Sequence, residues 1–189
     1  MDRVTISKYL EIILAELEET LPGISDELSE ELIRHILLSN HIFLAGAGRS
    51  GLATRGFAMR LMHIGVPAFI VGSETAPAIT ADDLLIIGSG SGSTGSLLAI
   101  AKKARALGAK LALITTSEDS PISQAADVVL IIPAPTPKVA GEAIYKSAQP
   151  LGTLFEQCLQ LVFDALVLRL VDVLEIDVDS MFARHANLE

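Results

Sequence analysis

The sequence is poor in cysteine, aromatic residues and positive charge. Its single cysteine, Cys158, excludes an intrachain disulfide and every multi-cysteine metal site. Trp is absent and aromatics make up only 4% of the 189 residues. The apolar mass is Ala, Leu, Ile and Val, as in close-packed parallel sheets covered by helices. Lys and Arg number 14 against 23 Asp and Glu, a formal net charge of −9, which argues against a nucleic-acid partner because that would need a basic footprint. An anionic ligand would have to be held by backbone N–H groups, hydroxyls and an occasional Arg. A membrane span is not expected either. The most apolar long stretch, Leu151 to Leu174, is interrupted by Glu156, Asp164, Arg169 and Asp172. The N-terminal MDRVTISKYLEIILAELEE carries acids through its apolar positions, unlike a signal peptide. A soluble cytoplasmic protein is the expectation.

Half of the residues are hydrophobic and 20% are charged, which excludes disorder as the main state. The length suits one domain, or one domain with appendages. Val4, Ile6, Leu10, Ile13, Leu14, Leu17 and Leu21 recur at helical spacing up to Pro22-Gly23, and Ser25 is placed to cap a second helix reaching about Leu38. From His41 onward come five short apolar runs: Ile42–Ala45, Ala68–Val71, Leu84–Gly88, Leu111–Thr115 and Val128–Ile132. Helical patterns at Leu52–Ile64 and Leu97–Leu107 lie between them. Strands alternating with helices predict βαβ units, and right-handed crossovers predict a three-layer α/β/α sandwich on a five-stranded parallel sheet. A flavodoxin-like strand order, 2-1-3-4-5, is expected. From Pro133 to Pro150 the periodicity stops, with four prolines in the stretch, so a long loop, functional or disordered, is expected there. The Leu151–Leu174 helix is apolar nearly all round, which predicts burial on both sides and therefore a homo-oligomer.

Two glycine-serine loops carry the chemical signal. The first strand runs into Gly46-Ala47-Gly48-Arg49-Ser50-Gly51, and the third into Ser89-Gly90-Ser91-Gly92-Ser93-Thr94-Gly95, each leading into a helix. In the order 2-1-3-4-5, strands one and three flank the switch-point crevice, so both loops converge on one place. Glycine permits close backbone approach, helix N-termini attract anions, and the hydroxyls add donors without charge. The second loop reads as a phosphate cradle. It lacks the Walker lysine, so it is not a nucleoside triphosphatase loop. Gly46, Gly48 and Gly51 also satisfy G-x-G-x-x-G, with Glu74 after the second strand where a ribose ligand would stand, so a dinucleotide site stays open as an alternative. Arg49 stands at a helix start, where a cation is misplaced against the dipole, which favours a ligand role. Lys138 and Lys146, in the irregular stretch, are candidates for closing over a substrate. Glu156 opens an apolar helix among Leu154, Phe155 and Leu159, which suits either a general base or a helix-start acid.

At its two loops the sequence resembles the sugar isomerase (SIS) domain family. GAGRSG, RLMHIGVPAFIVG, GSGSGSTG, QPLGTLFEQ and the terminal RHANLE together are similar to its 6-phospho-3-hexuloisomerase branch, over essentially the whole chain. The resemblance implies one SIS domain over residues 1–189, with a helical segment to about 40, an α/β core over about 41–133, and a loop and C-terminal helix beyond. It implies interconversion of D-arabino-3-hexulose 6-phosphate and fructose 6-phosphate in the ribulose monophosphate route of formaldehyde fixation. It further implies a homotetramer, no metal and no cofactor. The substrate segments of the family map onto Ser50 and Ser89–Thr94, and its base onto Glu156. RHANLE makes His185 the candidate proton shuttle, reaching a neighbouring subunit's cleft, with His63 as the runner-up. The chain departs from the family at Ser93, where SIS loops often carry an acid or another long polar residue. Other phosphosugar isomerases and a non-catalytic phosphosugar-sensing module are the alternatives within the family.

Overall fold

A computed structural model describes residues 4–135 and 147–188. The first two helices, α1 (Ile6–Thr20) and α2 (Asp26–Leu38), form where apolar periodicity and the Ser25 cap place them. Thr5 Oγ1 accepts from the Lys8 N–H at 3.3 Å and Ser25 Oγ from the Leu28 N–H at 3.2 Å. Asp26 and Glu27 in the first turn of α2 add favourable charge at its N-terminus. A short 3-10 turn, Leu21–Gly23, separates the two helices at the proline.

Five strands come next: β1 (Ile42–Gly46), β2 (Ala68–Ile70), β3 (Leu84–Gly88), β4 (Lys110–Thr115) and β5 (Val128–Ile131). All pair in parallel, in the order β2-β1-β3-β4-β5. Two helices make crossovers, α3 (Gly48–His63) after β1 and α4 (Gly95–Ala106) after β3. The long α5 (Thr153–Val173) and the short α6 (Val178–Ala183) close the chain. The expected sandwich and strand order are therefore what the chain adopts. The crossover helices begin earlier than the apolar periodicity indicated, at Gly48 and Gly95, because their first turns are made of the glycine-serine loops themselves.

Side chains alternate along each strand and divide the interior into two layers. Ile42, Leu44, Leu84, Ile86, Ala112 and Ile114 face α2, α3 and α5. Phe43, Ala45, Leu85, Ile87, Leu111 and Leu113 face α4. The central strands are buried on both faces, whereas β2 and β5 at the sheet edges are partly exposed. Phe57 of α3 and Phe163 of α5 stack with ring centroids 4.4 Å apart, fixing one helix on the other. Nine residues of α5 are buried within the chain, but Leu168 on its opposite side remains 69% exposed. Cys158 lies in this core, and burial pushes its thiol up to about 11, so it is an inert apolar filler. Among the described residues no helix is long and apolar enough to cross a membrane.

At the end of the sheet where β3 begins, Asp83 is fully buried. Its carboxylate accepts from the Thr80 N–H at 2.7 Å and the Thr80 hydroxyl at 2.8 Å, and pairs with His41 Nδ1 at 2.8 Å. Burial pushes the carboxyl up, but the Thr80 N–H, the Thr80 hydroxyl and His41 outweigh it and hold the group below its ordinary value. A depressed carboxyl contributes stability above its unfolded-state value, and that contribution is lost as pH falls through the folded-state value. Asp83→Asn should destabilise the fold by roughly 2–4 kcal/mol near pH 7. Chemical denaturation at several pH values should show the gap to wild type closing below about pH 4. A gap that is constant with pH would mean that the carboxylate charge contributes nothing.

Candidate active site

Because β1 and β3 are neighbours, Gly46 is in register with Gly88 and the two loops leave the sheet side by side. The β1 loop turns into α3 through a close contact. A Cβ on Gly51 would lie 2.7 Å from the Gly46 carbonyl oxygen, and one on Gly46 would lie 2.9 Å from the Gly51 Cα. These glycines therefore serve strand–helix packing, which accounts for much of the G-x-G-x-x-G pattern. In the β3 loop, Gly92 has φ +55° and its α-hydrogen faces the Ser120 side chain, so only glycine fits there.

The Gly90 carbonyl accepts from the Thr116 N–H at 3.1 Å, the Thr116 hydroxyl at 2.8 Å and the Thr115 hydroxyl at 3.0 Å. Across a trans peptide the next N–H points the opposite way, so the Ser91 amide is directed away from β4. Three helices, α3, α4 and α5, start around this point, and none carries a side-chain cap on its N-terminal amides. By contrast, α1 and α2 are both capped. Helix starts without side-chain caps and with aligned dipoles favour a negative charge at this point, even in an acidic chain.

The resulting pocket has a volume of about 310 Å³, at the small end of the roughly 300–1,000 Å³ range of ligand sites. Arg49, Ser50, Ser89, Gly90, Ser91, Thr94 and Glu156 all line it, so most of the candidate residues meet in one place. Glu156, in the first turn of α5, pairs through Oε2 with Arg49 Nε at 3.2 Å. Arg49 Nη1 also donates to Thr153 Oγ1 at 3.3 Å. That hydroxyl donates in turn to the Pro150 carbonyl at 2.7 Å. The apparent misplacement of a cation at the start of α3 is thus resolved by a carboxylate from α5. Leu151, Gly152, Phe155 and Leu97 complete the wall. Leu151 holds φ +58°, a conformation that costs an L-residue roughly 1–2 kcal/mol.

Some candidates stand elsewhere. Gly92 is buried behind the loop and Ser93 is exposed, and neither lines the pocket. Glu74 does not line it either. Lys138 and Lys146 lie outside the described residues. His185 stacks on His63, with ring centroids 5.2 Å apart, at the end of α3 opposite to Arg49. A 16-residue helix is about 24 Å long, so within one chain neither histidine approaches Glu156. His63 is buried, and burial, then Arg60 and His185, hold it below its ordinary value. Arg184 Nη1 donates to the His63 carbonyl at 3.3 Å, docking the tail there. Sequence reasoning missed Thr153 and the strained Leu151. QPLGT was visible as a motif, but nothing in it signals that a threonine hydroxyl will hold Arg49.

The SIS domain family profile matches residues 35–161. The chain belongs to the SIS domain family. A Bacillus subtilis (strain 168) protein named 3-hexulose-6-phosphate isomerase is 46% identical over 183 residues, covering 97% of this chain and 98% of that protein. A Mycobacterium gastri protein of the same name is 42% identical over 184 residues, covering 97% and 92%. A Methanococcus jannaschii crystal structure, described as inferring a 3-hexulose-6-phosphate isomerase function, superposes with a TM-score of 0.82 at 32% identity, covering 96% of this SIS chain and 99% of its own.

If the β3 loop of this SIS domain is an anion cradle, a negative charge at Ser91 should oppose binding. Two unit charges about 4 Å apart near a protein surface repel by roughly 4 kcal/mol. Ser91→Asp should therefore weaken fructose 6-phosphate binding by at least about tenfold, as read by calorimetric titration. Unchanged affinity would place the anion elsewhere.

Proposed function

We infer that this chain is a 3-hexulose-6-phosphate isomerase, interconverting D-arabino-3-hexulose 6-phosphate and fructose 6-phosphate in formaldehyde fixation. The observation that carries the reading is the meeting, in one small pocket, of an uncapped, hydroxyl-rich helix start with a carboxylate held by an arginine. The names of the B. subtilis and M. gastri relatives, over nearly the full chain, supply the substrate. The substrate phosphate sits against Ser89–Thr94 and the N-terminus of α4. The sugar carbons extend toward Glu156 and Arg49.

Moving the carbonyl from C3 to C2 requires loss of the C2 proton and gain of a proton at C3. Glu156 takes the C2 proton, the electrons of that bond form the C2=C3 double bond, and the C3 carbonyl oxygen becomes the enediol oxygen. Returning the proton to C3 regenerates a carbonyl at C2. Arg49 and the helix-start amides offset the charge that develops on the oxygens. A second group must move the hydroxyl proton between O2 and O3. His185 is the candidate and serves this role only from a neighbouring copy, since its own chain holds it at the far end of α3.

That requirement agrees with the apolar surface of the single chain. Leu10 and Leu14 of α1, Leu52 of α3 and Leu168 of α5 are all exposed. We assign these faces to contacts within a cytoplasmic homo-oligomer, a dimer or tetramer, of single-domain chains. Light scattering at micromolar concentration should give one of these masses, and a stable monomer would contradict the assignment.

Glu156→Gln keeps the shape of the side chain but cannot accept the C2 proton. In a coupled assay on 3-hexulose 6-phosphate, turnover should fall by about 100- to 10,000-fold, with little change in fructose 6-phosphate affinity. Wild type should exchange the C2 hydrogen with deuterated solvent and the variant should not. Normal turnover and exchange in Glu156→Gln would reduce Glu156 to a helix-start acid.

A further inference from the structure

Glu16 is the one acidic residue of α1 that the fold buries, while Glu11, Glu18 and Glu19 stay exposed. Its carboxylate reaches across to a segment far along the chain. Oε1 accepts from the Ala148 N–H at 2.5 Å, and Oε2 accepts from the Ser147 hydroxyl and from Gln149 Nε2, each at 2.9 Å. The Gln149 N–H donates to Ser147 Oγ at 3.0 Å, so the three residues form one tight turn gripped by one carboxylate. A buried carboxylate is costly unless such donors surround it.

The rim of the pocket begins directly after this turn. The Pro150 carbonyl accepts from the Thr153 N–H at 3.3 Å and from its hydroxyl at 2.7 Å. Having given its proton to Pro150, the Thr153 hydroxyl meets Arg49 only as an acceptor, and Arg49 in turn pairs with Glu156. Between the gripped turn and α5 stands Leu151 in its left-handed conformation. Such strain persists only where both sides are over-determined, and the Glu16 grip supplies one side.

We propose that Glu16 is a positioning residue for the isomerisation: by holding residues 147–149 against α1, it sets Thr153 and thereby the Arg49–Glu156 pair in reacting geometry. The proposal rests on the reading of Glu156 as the base. It couples the N-terminal helix, none of whose residues lines the cradle pocket, to the proton-transfer end of the site alone.

The test is steady-state kinetics of the full chain on 3-hexulose 6-phosphate, with fructose 6-phosphate affinity measured in parallel. Glu16→Ala should lower kcat by about 10- to 100-fold, the scale of a displacement of about 1 Å at a reacting group. Affinity should stay within about threefold, because the cradle is built on β3 and α4. Glu16→Gln should recover most of the turnover. Its amide oxygen can keep the Ala148 N–H bond, while the Ser147 hydroxyl and the Gln149 amide can both reverse to accept. Thr153→Val should cost little more in the Glu16→Ala background than the latter costs alone, since both act along one path. Should Glu16→Ala not fold, Ser147→Ala with Gln149→Ala removes the side-chain bonds from the turn and should reproduce the loss in kcat. Unchanged kcat in the variants that fold, or strictly additive losses with Thr153→Val, would overturn the proposal while leaving Glu156 as the base. Normal turnover in Glu156→Gln would overturn the base reading, and this proposal with it.

Discussion

The parallel pairing of β1 with β3 is the constraint on which the site depends. These strands are not consecutive, since β2 intervenes in the chain and lies outside β1 in the sheet. Their adjacency brings Gly46 level with Gly88, so that two loops far apart in the chain begin from one line. The helices after them must pack on opposite faces of the sheet, and they diverge from that line. The gap between their N-termini is the pocket. α5 then lies on the α3 side and brings a third uncapped helix start, with Glu156, to the same gap.

Within the gap, charge is arranged by short range rather than by the whole molecule. The chain carries a formal charge of −9, which would repel an anion at long range. Backbone amides at three helix starts oppose that repulsion locally, while Arg49 offsets the charge of Glu156. Arg49 is itself held from two sides, by Glu156 and by Thr153. One guanidinium therefore both orients the carboxylate and faces the ligand space, and its own position is set by the 147–153 turn. At this end of the sheet, hydrogen bonds between distant segments hold the turn.

The strands were legible because Leu, Ile and Val runs bounded by glycine and polar residues have few alternatives in a chain with so few aromatics. The Ser25 cap of α2 was legible because its hydroxyl acts on an amide only three residues on. The starts of α3 and α4 were less so: Gly48, Ser50, Gly51 and Gly95 are poor helix formers, and only tertiary packing recruits them. The meeting of the two loops at one pocket was readable from their glycines and hydroxyls, but the division of labour within it was not. Gly92 and Ser93 turn the loop without lining the pocket, and that depends on Ser120 beyond the next strand. Nothing local in the sequence sets Glu16 apart from Glu11, Glu18 and Glu19, because its partners lie 131–133 residues away. His185 was singled out by its motif, yet its own chain stacks it on His63 at the opposite end of α3.

The central claim is that one pocket holds the sugar phosphate with its phosphate on the β3 loop and its reacting carbons at Glu156. A crystal structure of the protein with fructose 6-phosphate tests it most directly. The account predicts phosphate oxygens within hydrogen-bond distance of the Ser91 and Thr94 amides, with C2 and C3 facing the Glu156 carboxylate beside Arg49. Phosphate bound outside the β3 loop, or a sugar whose C2 and C3 point away from Glu156, would contradict it.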